Sequence, residues 1–174
     1  RISEINYSVE GRPLFEEASA VIAQAVAKGI SLAVAESLTG GAVAADLVSI
    51  PGASAVFRGG VVAYDPVIKH DLFEVDAAAL ASGGAVTALV ATQMAEGVAK
   101  RLSSDFAVAT TGVAGPDPEP VSGQKPGTVF IAVAGTALGT LVRELSLTGD
   151  RAEIRAKATR AALQALADGI AIDD

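Results

Sequence analysis

Apolar residues at Leu14, Ala18, Val21, Ile22 and Ala25 recur at helical spacing, which predicts a helix over 14–28 stopped by Gly29. The pattern then changes. Residues 31–35 form a short unbroken apolar run, the mark of a buried strand, and lead into the polar segment Glu36-Ser37-Leu38-Thr39-Gly40-Gly41 and a small-residue helix over 42–48. Pro51-Gly52 marks a turn. Residues 57–64 read as a strand in which Gly59-Gly60 predicts a bulge or a close backbone approach. Asp65 then caps, and Pro66 opens, a short helix through Leu72. Thr87 caps the strongest helical pattern, 88–102, and a buried strand over 106–109 ends in Thr110-Thr111-Gly112-Val113-Ala114-Gly115-Pro116. A long loop rich in Pro, Gly and polar residues runs to Gly127, a length at which loops usually carry function. Residues 128–134 and 141–147 read as a strand pair, and Gly149-Asp150-Arg151 opens a last helix over 152–167. The polar stretch 1–13 reads as a tail and 14–174 as one domain, with no repeat and no linker. Helices interleaved with buried strands predict an α/β fold, a three-layer sandwich. Its sheet should be mixed, mostly parallel and flanked by helices.

Composition narrows this picture. Half of the 174 residues are hydrophobic (51%) but only 4% are aromatic, so Ala and Val must fill the core. The net charge of −7 argues against nucleic acid or an anionic membrane as a partner. With no Cys there is no disulfide, thiolate metal site or Cys nucleophile, which fits a cytoplasmic protein. The one histidine, His70, rules out a His-rich metal centre and receives no role. No uncharged apolar run reaches the roughly 18 residues of a membrane span.

In open α/β sheets, sites form at the carboxyl ends of strands. Three loops there carry small polar residues: 36–41, 64–69 and 110–116. None is a Walker A loop, and none is GxGxxG. Each alone reads best as a tight turn; together they suggest a site for a small polar anion. Taken singly, the residues keep ordinary alternatives. Ser37 would cap the helix after it, Ser54 would be a small turn residue, and Arg151 would pair with Asp150 or Glu153. Lys69 and Asp65, four apart, would form a surface pair that holds the lysine protonated, unless Asp65 is engaged as a cap.

In this order the chain carries Ala35-Glu36-Ser37-Leu38-Thr39-Gly40-Gly41, Pro51-Gly52-Ala53-Ser54 with Phe57, and Gly60-Val61-Val62-Ala63-Tyr64 with Lys69. Then come Gly84-Ala85-Val86-Thr87, Thr111-Gly112-Val113-Ala114-Gly115-Pro116, Lys125-Pro126-Gly127-Thr128-Val129 and Gly149-Asp150-Arg151. The set closely resembles the CinA C-terminal domain family, the nicotinamide-nucleotide amidases, over about residues 15–168, and suggests its stand-alone form. The resemblance implies hydrolysis of the carboxamide of nicotinamide mononucleotide to nicotinic acid mononucleotide and ammonia, with no cofactor and no metal. It implies Ser54 and Lys69 as nucleophile and base, with Tyr64 and Ser37 beside them. Thr39, Gly40, Gly41, Thr111, Gly112 and Arg151 are the implied substrate-binding residues.

Amide hydrolysis without a metal needs a nucleophile, a proton shuttle and an oxyanion site. With no Cys and one His, a serine paired with a desolvated, neutral lysine is the most economical choice. Amides around Gly40-Gly41 or Gly112 are candidates for the oxyanion or the phosphate, and Arg151 suits a phosphate. Leu38 stands where the family usually has Cys, Asp65-Pro66 replaces the usual Ser-Asn, and 117–124 carries prolines where a Gly-rich stretch is common. The Ala/Val surfaces lead us to expect a homo-oligomer. Two alternatives are a nucleotide-binding regulatory module associated with competence or DNA damage, and a serine amidase for another cyclic amide.

Overall fold

The computed structural model describes residues 15–172; the tail expected over 1–13 lies outside them. Its elements run α1 (Glu16–Lys28), β1 (Leu32–Glu36), α2 (Ala42–Val48), a 3-10 turn (Ala53–Ala55), β2 (Phe57–Val62), α3 (Pro66–Phe73), α4 (Ala77–Gly83), α5 (Ala88–Leu102), β3 (Phe106–Gly112), β4 (Thr128–Thr136), β5 (Gly139–Ser146) and α6 (Arg151–Ala171). One sheet has the order β2-β1-β3-β4-β5. β1 pairs in parallel with β2 and β3, whereas β3/β4 and β4/β5 are antiparallel, so the late strand pair makes the sheet mixed. The predicted irregularity in β2 is a bulge: Leu32 faces Phe57 and Ala33 faces Gly59, leaving Arg58 as the extra residue.

The apolar runs hide a period of two. Leu32, Val34, Phe106, Val108, Val129, Ile131 and Val133 face a layer built from α1, α2 and α6. Ala33, Ala35, Ala107, Ala109, Phe130, Ala132 and Ala134 face α5, α3 and α4. Both faces are covered, which is why the central strands read as continuous hydrophobic stretches. Helix α4 was not expected: Asp76 caps it by accepting from the Ala79 amide, and its Ala-rich body has too short an apolar period to stand out. Among the described residues no helix is long and apolar enough to cross a membrane.

The chain leaves β1 toward the α1/α6 face through α2 and leaves β2 toward the α5 face through α3. A crevice therefore opens at the carboxyl ends of the central strands, where the candidate loops converge.

Candidate active site

Glu36 ends β1 and is 1% exposed, yet it forms no ion pair among the described residues. Its carboxylate turns back onto α2 and accepts from the Val43 amide at 2.9 Å and the Ala44 amide at 3.0 Å. This replaces a side-chain cap, because the N-cap residue is Gly41, held at φ +96° where a Cβ would be strained. The expectation that Ser37 caps this helix is therefore corrected: Glu36 occupies that role and leaves the Ser37 hydroxyl for another partner. Across the loop, Thr39 Oγ1 meets Thr110 Oγ1 at 2.8 Å, and the Ser37 amide donates to the Thr110 carbonyl at 3.1 Å. Arg155 of α6 closes the loop from the other side, its Nε donating to the Leu38 carbonyl at 2.8 Å and Nη2 to the Thr39 carbonyl at 3.3 Å.

The partner of the Ser37 hydroxyl is Lys69. Asp65 caps α3 by accepting from the Val67 amide at 2.8 Å, and Pro66 follows at the first helical position, as the sequence predicts. One turn on, Lys69 points inward and is 1% exposed, the largest fully buried side chain among the described residues. Its Nζ lies 3.1 Å from Ser37 Oγ, 2.6 Å from the Ala63 carbonyl and 3.0 Å from the Tyr64 carbonyl. Burial pushes the ammonium down from 10.5 to about 8, overriding the opposing pull of the Asp65 carboxylate. The surface pair between Lys69 and Asp65 does not form.

The expected pairing of Ser54 with Lys69 does not form either. Ser54 lies exposed in the 3-10 turn before β2, while Lys69 follows the opposite end of that strand. The six residues of β2, at about 3.3 Å each, set the two ends roughly 20 Å apart. Ser54 is at the amino ends of the strands and Ser37 at the carboxyl ends. A signal for this was present in the sequence: Ser54 precedes its strand and Ser37 follows one, and sites gather at the carboxyl side.

Tyr64 is 62% exposed, and its hydroxyl accepts from Arg151 Nη2 at 3.3 Å. Arg151 Nη1 also donates to the Gly115 carbonyl, so the guanidinium faces the crevice rather than Asp150 or Glu153. Those two form a capping box of their own at the start of α6. Tyr64, Arg151 and the segment from Gly112 to Pro120 enclose a cavity of about 310 Å³. Gly112 is required there, because a Cβ would approach Val129 Cγ2 to 2.7 Å. A second cavity of about 410 Å³ lies beyond the Ser37 loop, bordered by Thr39, Gly40, Gly41 and Arg155.

Two expected substrate-binding groups are engaged within the fold. The Gly40 amide donates to the Ser37 carbonyl at 3.1 Å, which removes it as an anion donor. The Thr111 hydroxyl donates to the Ala85 carbonyl at 2.7 Å and ties β3 to the segment before α5. Glu36, Thr110 and Arg155 were not singled out from the sequence. Thr110 and Arg155 act on the loop from segments distant in sequence, which no local pattern announces, and Glu36 acts across the turn to amides seven and eight positions on.

Comparison with known proteins agrees with this architecture. The family model described as CinA C-terminal domain matches residues 15–170. A CinA-like protein of Frankia casuarinae is 46% identical over 144 residues, covering 82% of this chain and 32% of the relative. A putative competence-damage inducible protein of Acetivibrio thermocellus is 42% identical over 89% of this chain and 36% of its own length. The chain thus spans about a third of the curated relatives it matches. Among solved structures, a competence-damaged protein (CinA) superfamily protein of Klebsiella pneumoniae superposes with a TM-score of 0.84 at 32% identity, covering 90% of this chain and 96% of that one. The competence/damage inducible protein CihA of Agrobacterium tumefaciens gives 0.83 at 36% identity, covering 91% and 94%. The chain belongs to the CinA C-terminal domain family.

Proposed function

We propose that the chain is a metal-independent amidohydrolase that converts nicotinamide mononucleotide to nicotinic acid mononucleotide and ammonia, with Ser37 as nucleophile and Lys69 as base. The observation that carries this reading is the contact of 3.1 Å between a serine hydroxyl and a buried amine lowered to about 8.

The geometry around Nζ suits the task. A neutral amine keeps two N–H groups and one lone pair. The Ala63 and Tyr64 carbonyls can only accept, so they hold the two N–H groups. The lone pair is left facing Ser37, the one neighbour able to donate. Roughly a tenth of such amines are neutral at pH 7, against about one in three thousand for an ordinary lysine.

Ser37 Oγ attacks the carboxamide carbon as its proton passes to Lys69 Nζ. The tetrahedral adduct collapses, the C–N bond breaks, and the departing amine takes that proton and leaves as ammonia. Water then attacks the acyl ester, giving one proton to Lys69, which returns it to Ser37 Oγ as the carboxylic acid departs and loses its remaining proton to solvent. Arg151, beside Tyr64 at the mouth of the cavity, is matched to the phosphate of the substrate. Ser54 and the homo-oligomer expected from the sequence have no part in these steps.

Ammonia release from nicotinamide mononucleotide in the presence of a chelator tests the proposal. It should vanish in Ser37→Ala and Lys69→Ala and persist in Ser54→Ala. Arg151→Ala should raise KM for the nucleotide with little change in kcat. Retention of full activity by Ser37→Ala would overturn the assignment. Tight nucleotide binding without ammonia from the unaltered chain would favour the regulatory module.

A further inference from the structure

We propose that Glu119 is a positioning residue that tunes the site to a phosphorylated substrate, by fixing the far end of a proline strut whose near end aims Arg151. The inference rests on the reading of Arg151 as the phosphate ligand and adds what holds that side chain in place.

Arg151 donates from Nη1 to the Gly115 carbonyl and from Nη2 to the Tyr64 hydroxyl at 3.3 Å, which leaves further N–H groups for an anion. Tyr64 is exposed and Gly115 is buried, so the backbone carbonyl is the firmer of the two guides. Gly115 packs on Pro126, where a Cβ would come within 2.9 Å of Pro126 Cβ. That contact places its Cα. It does not place its carbonyl, because a glycine at φ +83° leaves the following peptide plane free to turn. The plane is shared with Pro116, so its direction is set by the residues beyond.

Those residues are Pro116-Asp117-Pro118-Glu119-Pro120. Each proline fixes φ and lacks an N–H, so the stretch is stiff and has few donors of its own. Among the described residues, the only hydrogen bond to residues 114–118 is the one from Arg151 to Gly115. The strut is therefore held at its ends. At the base, the Val113 amide donates to the Thr128 carbonyl at 2.9 Å and the Gly127 amide to the Val113 carbonyl at 2.7 Å.

Glu119 holds the other end with both backbone and side chain. Its amide donates to the Gln124 carbonyl at 2.9 Å, and its carbonyl accepts from the Gly123 amide at 2.9 Å. Its carboxylate accepts from the Val121 amide at 2.9 Å, the Ser122 hydroxyl at 2.7 Å and the Ser122 amide. Burial raises the pKa of this carboxyl, but the Ser122 amide and hydroxyl and the Val121 and Ala85 amides outweigh it and keep the group below its ordinary range. The carboxylate is also seated against Gly84, where a Cβ would lie within 2.7 Å of all three carboxylate atoms. The neighbouring Ala85 is anchored to the end of β3, its carbonyl accepting from the Thr111 hydroxyl at 2.7 Å. Glu119, Gly115 and Arg151 all border the cavity of about 310 Å³.

Glu119→Ala should raise KM for nicotinamide mononucleotide about tenfold, the scale of one weakened charge-assisted hydrogen bond, and leave kcat within about twofold. Nicotinamide riboside has the same ring and carboxamide without the phosphate, and its Ki as a competitor should not change. Glu119→Gln keeps one acceptor oxygen and should fall between the two. Gly84→Ala acts from another segment: its Cβ would expel the carboxylate from its seat and should reproduce the rise in KM. Added to Arg151→Ala, the Glu119 substitution should have no further effect, because both remove the same guanidinium contact. Calorimetric Kd values for the nucleotide and the riboside give the same comparison if the chain binds without turnover.

Equal weakening of the riboside would overturn the proposal in favour of general support of the cavity. Additive losses in the double variant would do the same, by showing that Glu119 acts apart from Arg151. So would a fall in kcat at unchanged KM. Unchanged KM in Glu119→Ala beside a raised KM in Arg151→Ala would overturn this inference alone and leave Arg151 as the phosphate ligand. Unchanged KM in Arg151→Ala would remove both readings together. If Glu119→Ala fails to fold, Glu119→Gln carries the same measurements.

Discussion

An ammonium loses its hydration when it is enclosed, and at Lys69 three oxygens replace the water. The replacement is incomplete, so the folded state holds the proton less tightly than the unfolded chain, at about 8 against 10.5. The unfolded state binds more protons between those values, and stability rises with pH across that window. The full cost is present below about pH 8. It amounts to about 3 kcal/mol, from which the two carbonyls left without a donor subtract about 1 each when the amine is removed. Lys69→Met should therefore abolish ammonia release yet raise stability by about 1 kcal/mol at pH 7. The gain should disappear toward pH 10, as urea unfolding at the two pH values would reveal. Asp65 works in the opposite direction, its carboxylate favouring the charged amine. Asn also caps helices well, so Asp65→Asn should keep α3 while lowering the Lys69 pKa further. The rising limb of kcat/KM should move below 8 and activity at pH 7 should increase; a limb that moved upward would contradict this account.

Between one element and the next, the site depends on how a strand end is joined to a helix start. Glu36 belongs to β1 but caps α2, and the five residues between them are folded into a loop by that contact. Glu36→Ala would leave two first-turn amides unpaired in a buried place. It should cost about 2 kcal/mol and reduce kcat strongly; the urea midpoint and the ammonia assay check the two effects separately. This junction also marks the limit of what the sequence discloses. Helix α3 was legible because Asp65, Pro66 and the apolar residues behind them act within a few positions of one another. So were the cap at Thr87 and the bulge near Gly59-Gly60. Lys69 was legible as a candidate through the resemblance to the family, and a chain with no Cys and one His makes a lysine base economical. Its serine was not, since Ser37 and Ser54 each sit in a small-residue turn, and only strand direction separates them. Contacts such as Arg155 to Leu38, 117 positions apart, come from tertiary packing and leave no local trace.

Across the whole molecule the sheet has two unlike faces. One row crosses it as Ala33, Ala107 and Ala134, and the parallel row as Ala35, Ala109 and Ala132. All six are at most 4% exposed, and α5 lies on them with Val90, Ala91, Met94, Ala95 and Val98. The opposite face presents Val34, Val108 and Val133 to α1 and α6. A core with few aromatics is thus closed by bringing α5 near the sheet over short side chains. Interiors of this density have no spare volume for extra methylene groups. Ala107→Leu should force α5 outward and cost about 1–3 kcal/mol, read as a lower urea midpoint with an unchanged slope. The effect should extend to the site, because β3 carries Thr110, which holds both the Ser37 amide and the Thr39 hydroxyl. Val108→Ala, on the other face of the same strand, removes volume instead and leaves a cavity beneath α6. If the two faces are as different as these rows imply, filling the alanine face should reduce kcat more than emptying the valine face at equal loss of stability. Equal reductions would mean that the strand transmits only its overall stability to the loop.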